Sequence, residues 1–177
     1  MNKMLYGLVF SGLIYSQNIF AVDVEDNVKN FLKSKDWVSF AITDDAMGRV
    51  VATRAATEDV RKNTTLTLTY PTVKNCGLMP LDLIIKLDTP VSNVEHKDIF
   101  GTFQIDDHQP IEVKAILQNE EDSQFLFISA EVKGFENKIK NSKSLIANFK
   151  GYGVMEFSLL GATQATINAK NTCMNFS

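Results

Sequence analysis

The sequence is poor in several residue types that mark particular classes of protein. It holds two cysteines, two histidines, four prolines and one tryptophan among 177 residues. Hydrophobic residues make up 45% of the chain and charged residues 22%, close to globular averages, which excludes collagen, coiled coils and disordered chains. No Gly-x-Ser-x-Gly, His-Glu-x-x-His, P-loop or dinucleotide-binding pattern occurs. The sequence therefore predicts a packed domain without a recognisable catalytic signature or a cofactor.

An excess of positive charge is also absent. Eighteen basic residues stand against 21 acidic ones, for a net charge of −3. A negative net charge is unfavourable for binding to the phosphate backbone of a nucleic acid. The aromatic residues that could stack on bases occupy core positions of the strand pattern instead. We therefore expect no nucleic-acid partner.

Long apolar runs are missing except near the N-terminus. A lysine precedes a nearly apolar stretch from Met4 to Ile14, and Ala21 closes the polar stretch that follows. One positive charge, an apolar run of about 7–15 residues and a small residue at the cut are typical of a signal peptide, whereas a spanning helix needs roughly 20 apolar residues. The sequence predicts a signal peptide over 1–21, with an uncleaved anchor as the alternative, and one domain without a transmembrane segment over 22–177.

Export changes the interpretation of the two cysteines, because oxidising compartments permit disulfides. Cys76 follows a strand-like run and Cys173 lies near the C-terminus, so a bond between them would tie the last segment to the sheet. The alternative, a nucleophilic cysteine, would need a partner histidine, but neither His96 nor His108 has a supporting motif. We expect a disulfide and a periplasmic or secreted protein.

Alternation of apolar and polar residues predicts about nine strands. In one of them, Thr65, Thr67 and Thr69 alternate with large apolar residues, which predicts a solvent-exposed face. The strand-like runs are 37–43, 48–56, 65–70, 81–87, 99–105, 111–118, 125–130, 145–150 and 154–160.

Three segments have helical spacing instead. Apolar residues recur with this period over Val24–Leu32 and Val132–Ile139, and alanines over Ala162–Ala169. The fold class predicted is mainly β: an antiparallel β-sandwich with short N-terminal, late-middle and C-terminal helices. A closed barrel is the alternative, since both closures require alternation on every strand.

Several residues occur in an order that resembles a known group of exported bacterial proteins. They are Trp37 at the first strand, Asp45-Ala46-Met47-Gly48 at its turn, Phe103 to Asp107 in a central strand, and the segment 157–162, which reads Phe-Ser-Leu-Leu-Gly-Ala. The order is similar to the invasion-associated locus B family and to related periplasmic accessory proteins of type VI secretion. The likeness spans Trp37 to Cys173.

The resemblance implies an exported β-sandwich of the bacterial cell envelope that acts through contacts and not through catalysis. Gln104 and Ile105 stand where those families carry a basic and an aromatic residue, and the cysteine pattern of their first strand is absent. A link to secretion or to host interaction is what the resemblance implies for function.

Asp106, Asp107 and His108 form the most chemically suggestive cluster. In an extended chain Asp106 and His108 point to the same side and could share a metal ion, but a tight site needs a third converging ligand and no second cluster occurs. An Asp-Asp pair shortly before Pro110 is ordinary turn chemistry. The sequence therefore predicts a hairpin turn here, a candidate contact loop, and no metal.

A local excess of lysine follows later in the chain. Lys133, Lys138, Lys140, Lys143 and Lys150 stand against two glutamates, which gives +3. A solvated helix face explains this excess, and so does a surface for an acidic protein or for lipid head groups. Lys138, Lys140 and Lys143 are the candidate contact residues of this segment.

Two further features have a structural interpretation. Asp44 and Asp45 could act as paired carboxylates, but nothing supplies a second carboxylate across a cleft, and a strand-ending turn before Gly48 explains them. Trp37 is expected to anchor the core.

The functional prediction is an exported, non-enzymatic binding or accessory protein whose partner is another protein in the periplasm or at the cell surface. The alternative is an inhibitor or immunity protein that blocks a partner enzyme with the 106–110 loop. A metal-dependent hydrolase built from His96, His108 and carboxylates is the third hypothesis.

Overall fold

A computed structural model of the chain describes residues 27–44, 47–93 and 95–177. The predicted signal peptide, the first residues of the predicted N-terminal helix and Asp45 lie outside these ranges. No helix in the described ranges has the length and apolar character needed to cross a membrane.

Ten strands, two α-helices and one short 3₁₀ helix make up the described chain. The strands are β1 (Val28–Ser34), β2 (Trp37–Thr43), β3 (Val50–Glu58), β4 (Thr64–Pro71), β5 (Leu81–Val91), β6 (His96–Ile105), β7 (Ile111–Asn119), β8 (Ser123–Ala130), β9 (Ser144–Phe149) and β10 (Gly153–Ser158). The helices are the 3₁₀ helix Thr72–Lys74, α1 (Phe135–Ile139) and α2 (Ala162–Met174).

Hydrogen bonds join all ten strands into one antiparallel sheet with the order β1-β2-β3-β4-β5-β8-β7-β6-β9-β10. The sheet is open, with β1 and β10 at its edges. The two separate sheets of the predicted sandwich are therefore not confirmed, while the mainly β, antiparallel character is. The loop after β3 approaches β10, where the Val60 amide donates to the Glu156 carbonyl at 2.9 Å, so the sheet curls over its own apolar face.

One core occupies the inner face of the curled sheet. Leu66, Leu68 and Tyr70 of β4 belong to the same buried cluster as Phe103 of β6 and Phe157 of β10. Residues from both halves of the sheet therefore remove one another from water, which is what an open sheet needs to be stable.

The first strand was predicted as part of a helix, and that prediction is wrong for the described part. Val28 pairs with Ile42, and the register shifts between Lys29 and Leu32 because β1 carries one extra residue there. Such a bulge breaks the two-residue alternation and leaves apolar residues at helix-like spacing.

The exposed face predicted for β4 is also wrong. Thr65, Thr67 and Thr69 are 3%, 1% and 7% exposed. β4 lies between β3 and β5, and from β3 the Nε of Arg54 donates to Thr69 Oγ1 at 3.1 Å. Short threonine side chains are thus covered by longer neighbours on the same face.

Both later helices occur where they were predicted, although α2 extends beyond Ala169 to Met174. α1 is shorter than predicted and begins after Gly134. α2 packs on the inner face of the first strands, where Thr53 Oγ1 donates to the Ala169 carbonyl at 2.8 Å. Its buried side includes Ala162, Ala165 and Ala169, and small side chains allow this close approach.

The predicted core anchor Trp37 is fully buried and donates from Nε1 to the Ser158 carbonyl at 2.8 Å, which joins β2 to the end of β10. A disulfide holds the end of α2 against the sheet. Cys173 is bonded to Cys76 across a sequence separation of 97 residues, with 5.8 Å between the Cα atoms.

We predict that Gly161→Ala destabilises the fold strongly. Gly161 has φ of +97°, and an added Cβ would lie 1.8 Å from the Ser34 carbonyl oxygen. Gly153→Ala is the matched control, because Gly153 also has positive φ, +84°, but nothing lies within 4 Å. Urea unfolding should give a loss of about 1 kcal/mol for the control and about 3 kcal/mol or more for Gly161→Ala. Equal losses would contradict the close approach.

The disulfide should contribute much of the stability. In the chain-entropy model, closing a loop of this size stabilises by about 4–5 kcal/mol. Replacing both Cys76 and Cys173 with alanine should lower the free energy of unfolding by this order. Quantitative thiol labelling of the native, unreduced protein provides the direct check, and two freely reactive thiols would contradict the bond.

Candidate functional site

The predicted turn 106–110 is the hairpin connection between β6 and β7. The Asp106 amide donates to the Ser144 carbonyl at 3.0 Å, and the His108 amide donates to the Ile105 carbonyl at 3.1 Å. Asp106 has φ of +49°, a conformation that aspartate tolerates in turns. Residues 107–110 are exposed. The turn prediction is confirmed.

The carboxylate of Asp106 is used inside the molecule. Its Oδ1 accepts hydrogen bonds from the backbone amides of Lys143, at 2.8 Å, and Ser144, at 2.9 Å. These backbone N–H groups, the Lys143 amide first, lower the pKa of Asp106 below its ordinary value. Asp106 therefore fastens the hairpin turn to the start of β9 and positions its neighbours.

The lysine-rich segment lies beside that attachment. Lys138 is in α1, Lys140 follows the helix, and Lys143 precedes β9. All three side chains are exposed, and among the described residues none has a carboxylate within 4.0 Å of its ammonium group. We call the exposed turn 107–110 together with the segment 138–143 the turn–lysine surface.

Glu136 holds α1, and with it Lys138, against α2. Glu136 Oε1 accepts the Tyr70 hydroxyl at 2.8 Å and forms an ion pair with Lys170 Nζ at 2.8 Å. The Lys170 ammonium also lies 5.6 Å from the centre of the Tyr70 ring. Burial, and then the Glu136 charge, raise the pKa of Tyr70, so its hydroxyl stays a donor.

Sequence analysis did not identify this cluster. Glu136 is separated from Lys170 by 34 residues and from Tyr70 by 66. No local pattern reports such a contact, and the only available signal was the glutamate within a lysine-rich segment.

A second polar cluster that sequence analysis missed lies on the outer face of the sheet. Asp82 accepts the Ser129 hydroxyl, and Arg54 lies near enough for its charge to act on Asp82. Burial raises the pKa of Asp82 and lowers that of Arg54. The cluster therefore links side chains of β3, β5 and β8 on the outer face of the sheet.

The structure does not assemble the sites of the hydrolase hypothesis. His96 begins β6 and His108 follows its end, so the strand separates the two imidazoles by roughly 30 Å. In the described ranges, no three His, Cys, Asp or Glu side chains come together as a possible metal site. Asp44 Oδ1 accepts the Met47 amide at 2.6 Å, which is a turn contact.

No protein-family model matches the chain, and no curated protein matches it significantly. Among solved structures, the crystal structure of invasion associated protein B from Bartonella henselae is similar, with a TM-score of 0.42 and 8% identity. The alignment covers 83% of this chain and 99% of that chain. The likeness is a weak resemblance of fold.

We predict that Asp106→Asn lowers stability in a pH-dependent way. Asparagine keeps the shape and tolerates positive φ but removes the charge that strengthens both backbone hydrogen bonds. At pH 7 the variant should lose up to about 1 kcal/mol, because solvent screens the charge at this position. Because the folded pKa of Asp106 is lowered, its contribution is complete above the unfolded pKa of about 4 and is lost as pH falls through the folded pKa.

Urea unfolding at pH 7 and pH 3 measures this difference. Asp107→Asn is the control, since Asp107 is exposed in the same turn. The difference in the free energy of unfolding between Asp106→Asn and the unsubstituted protein should shrink at pH 3. A difference that is the same at both pH values would contradict the role of the charge.

Proposed function

We propose that the protein is an exported, non-enzymatic binding or accessory protein of the bacterial cell envelope that contacts another protein through the turn–lysine surface. One observation carries the proposal. The Asp106 carboxylate joins the β6–β7 turn to the start of β9, so two segments separated by more than 30 residues form one surface. Binding to a preformed surface costs less conformational entropy than binding to separate flexible loops.

The charge of this surface indicates the kind of partner. Lys138, Lys140 and Lys143 present ammonium groups without a described carboxylate partner, while the whole chain has a net charge of −3. A local positive surface on an acidic protein orients the encounter with an acidic partner. We therefore propose an acidic protein surface in the periplasm or at the cell surface.

The disulfide supports export. Disulfides form and persist in oxidising compartments and are rare in reducing ones. The Cys76–Cys173 bond fits the periplasm or the extracellular space, in agreement with the signal peptide predicted outside the described residues.

An inhibitor or immunity protein is the second candidate. The exposed turn 107–110 is held in place by Asp106 at one end, and inhibitors that block an enzyme use loops fixed in this way. In this case the turn side chains would enter the partner's active site, and the lysines would contact its rim.

We predict that reversing the charge of Lys138, Lys140 and Lys143 to glutamate abolishes partner capture in cells. The matched control reverses three exposed lysines elsewhere, Lys33, Lys35 and Lys62, with the same change in net charge. In-cell crosslinking from Gln109 in the exposed turn, followed by mass spectrometry, should recover the same envelope protein with the unsubstituted chain and with the control.

Equal recovery with all three chains would contradict the turn–lysine surface as the contact. A further pair, Asp107→Ala with His108→Ala, separates the two candidates. If the captured partner is an enzyme, and these two substitutions restore the partner's activity while capture persists, the inhibitor hypothesis is correct.

A further inference from the structure

A groove of about 600 Å³ that shares no residue with the turn–lysine surface lies among the start of β1, the residues just before and at the start of β3, the 3₁₀ helix and the C-terminus. Its volume falls in the range of small-molecule sites. We call it the terminal groove. Its principal lining residues are Lys29, Gly48, Arg49, Val51, Val73 and Phe176.

Three apolar residues of the terminal groove are open to solvent. Val73 is 88% exposed, Phe176 50% and Val51 39%. The three residues come from separate segments of the chain and line the same groove.

The disulfide fixes two walls of the groove relative to each other. Val73 lies three residues before Cys76, and Phe176 lies three residues after Cys173. The 3₁₀ helix is also tied to β3, because Thr72 Oγ1 donates to the Val51 carbonyl at 3.1 Å. The backbone segments that carry Val51, Val73 and Phe176 are therefore tied to one another.

Positive charge is confined to the other part of the groove. Lys29 Nζ lies 3.5 Å from the Gly48 carbonyl oxygen, next to Arg49. Arg49 is weakly paired with Asp44 at 3.9 Å, whereas Lys29 has no carboxylate within 4.0 Å among the described residues. A groove that is lined by apolar side chains and has an ammonium group at one side is complementary to a molecule with an apolar chain and one anionic end.

We propose that the terminal groove binds a fatty acid. The alkyl chain lies over Val51, Val73 and Phe176, and the carboxylate meets Lys29, with Arg49 beside it. The two sites share no residue, so substitutions in the groove test this proposal separately from the protein contact proposed above.

Calorimetric titration of the oxidised protein with decanoate, below its micelle concentration, tests the proposal. We expect one saturable site, with decan-1-ol bound about tenfold more weakly because it lacks the charge. Lys29→Glu should weaken decanoate binding about tenfold, whereas Lys33→Glu, on the same strand but outside the groove, should not.

Val73→Asp should weaken binding of both ligands by a similar factor, and Val60→Asp, at another valine that is largely exposed but lies outside the groove, should weaken neither. Absence of saturable binding, or equal effects of the groove and control substitutions, would overturn the proposal. Tighter binding of a peptide with a free C-terminal phenylalanine than of decanoate would replace the fatty acid with a protein terminus as the occupant.

Discussion

The placement of α2 across the inner face of the sheet is the constraint on which the rest of the structure depends. An open antiparallel sheet leaves one apolar face without cover unless it curls or is packed against another element. Here it does both: the two halves share one core, and α2 fills the space over the first strands. The helix has a narrow row of alanines and little apolar area, so the disulfide at Cys173 and the tight entry at Gly161 fix its position.

The individual strands could be predicted because burial of one face imposes alternation on each strand separately. Their order could not. β5 pairs with β8 and β6 pairs with β9, and an alternating pattern identifies which face is buried but not which strand lies beside it. The same limit explains the single sheet found in place of the predicted sandwich. Both arrangements bury the same side chains.

The two wrong predictions have local and long-range causes respectively. In β1 one inserted residue shifts the register, and the resulting spacing of Val28, Phe31 and Leu32 imitates a helix. In β4 the threonine pattern is that of a solvated face, but Arg54 covers part of it from the neighbouring strand. Burial of a short polar side chain depends on the length of its neighbours, which the pattern of a single strand does not report.

The candidate contact residues were found as two separate clusters, because turn chemistry and charge are local signals. Their union depends on Asp106, whose carboxylate reaches backbone amides 37 and 38 residues further along the chain. A sequence pattern identifies an aspartate that favours a turn. It does not distinguish a carboxylate that faces a partner from one that fastens two segments together.

α2 connects the turn–lysine surface to the terminal groove. In the last turns of α2, Lys170 holds Glu136 and thereby α1, and Cys173 forms the disulfide. Phe176, just beyond the end of the helix, lines the groove. Loosening the end of α2 would release a groove wall directly and would weaken the support of Lys138 through Glu136. The turn itself would remain, because the Asp106 carboxylate is held by the backbone amides of Lys143 and Ser144 and by the Ser144 hydroxyl, which lie just before and at the start of β9. The two surfaces therefore share one element but differ in how far they depend on it: the groove requires the disulfide, and the turn–lysine surface requires chiefly Asp106.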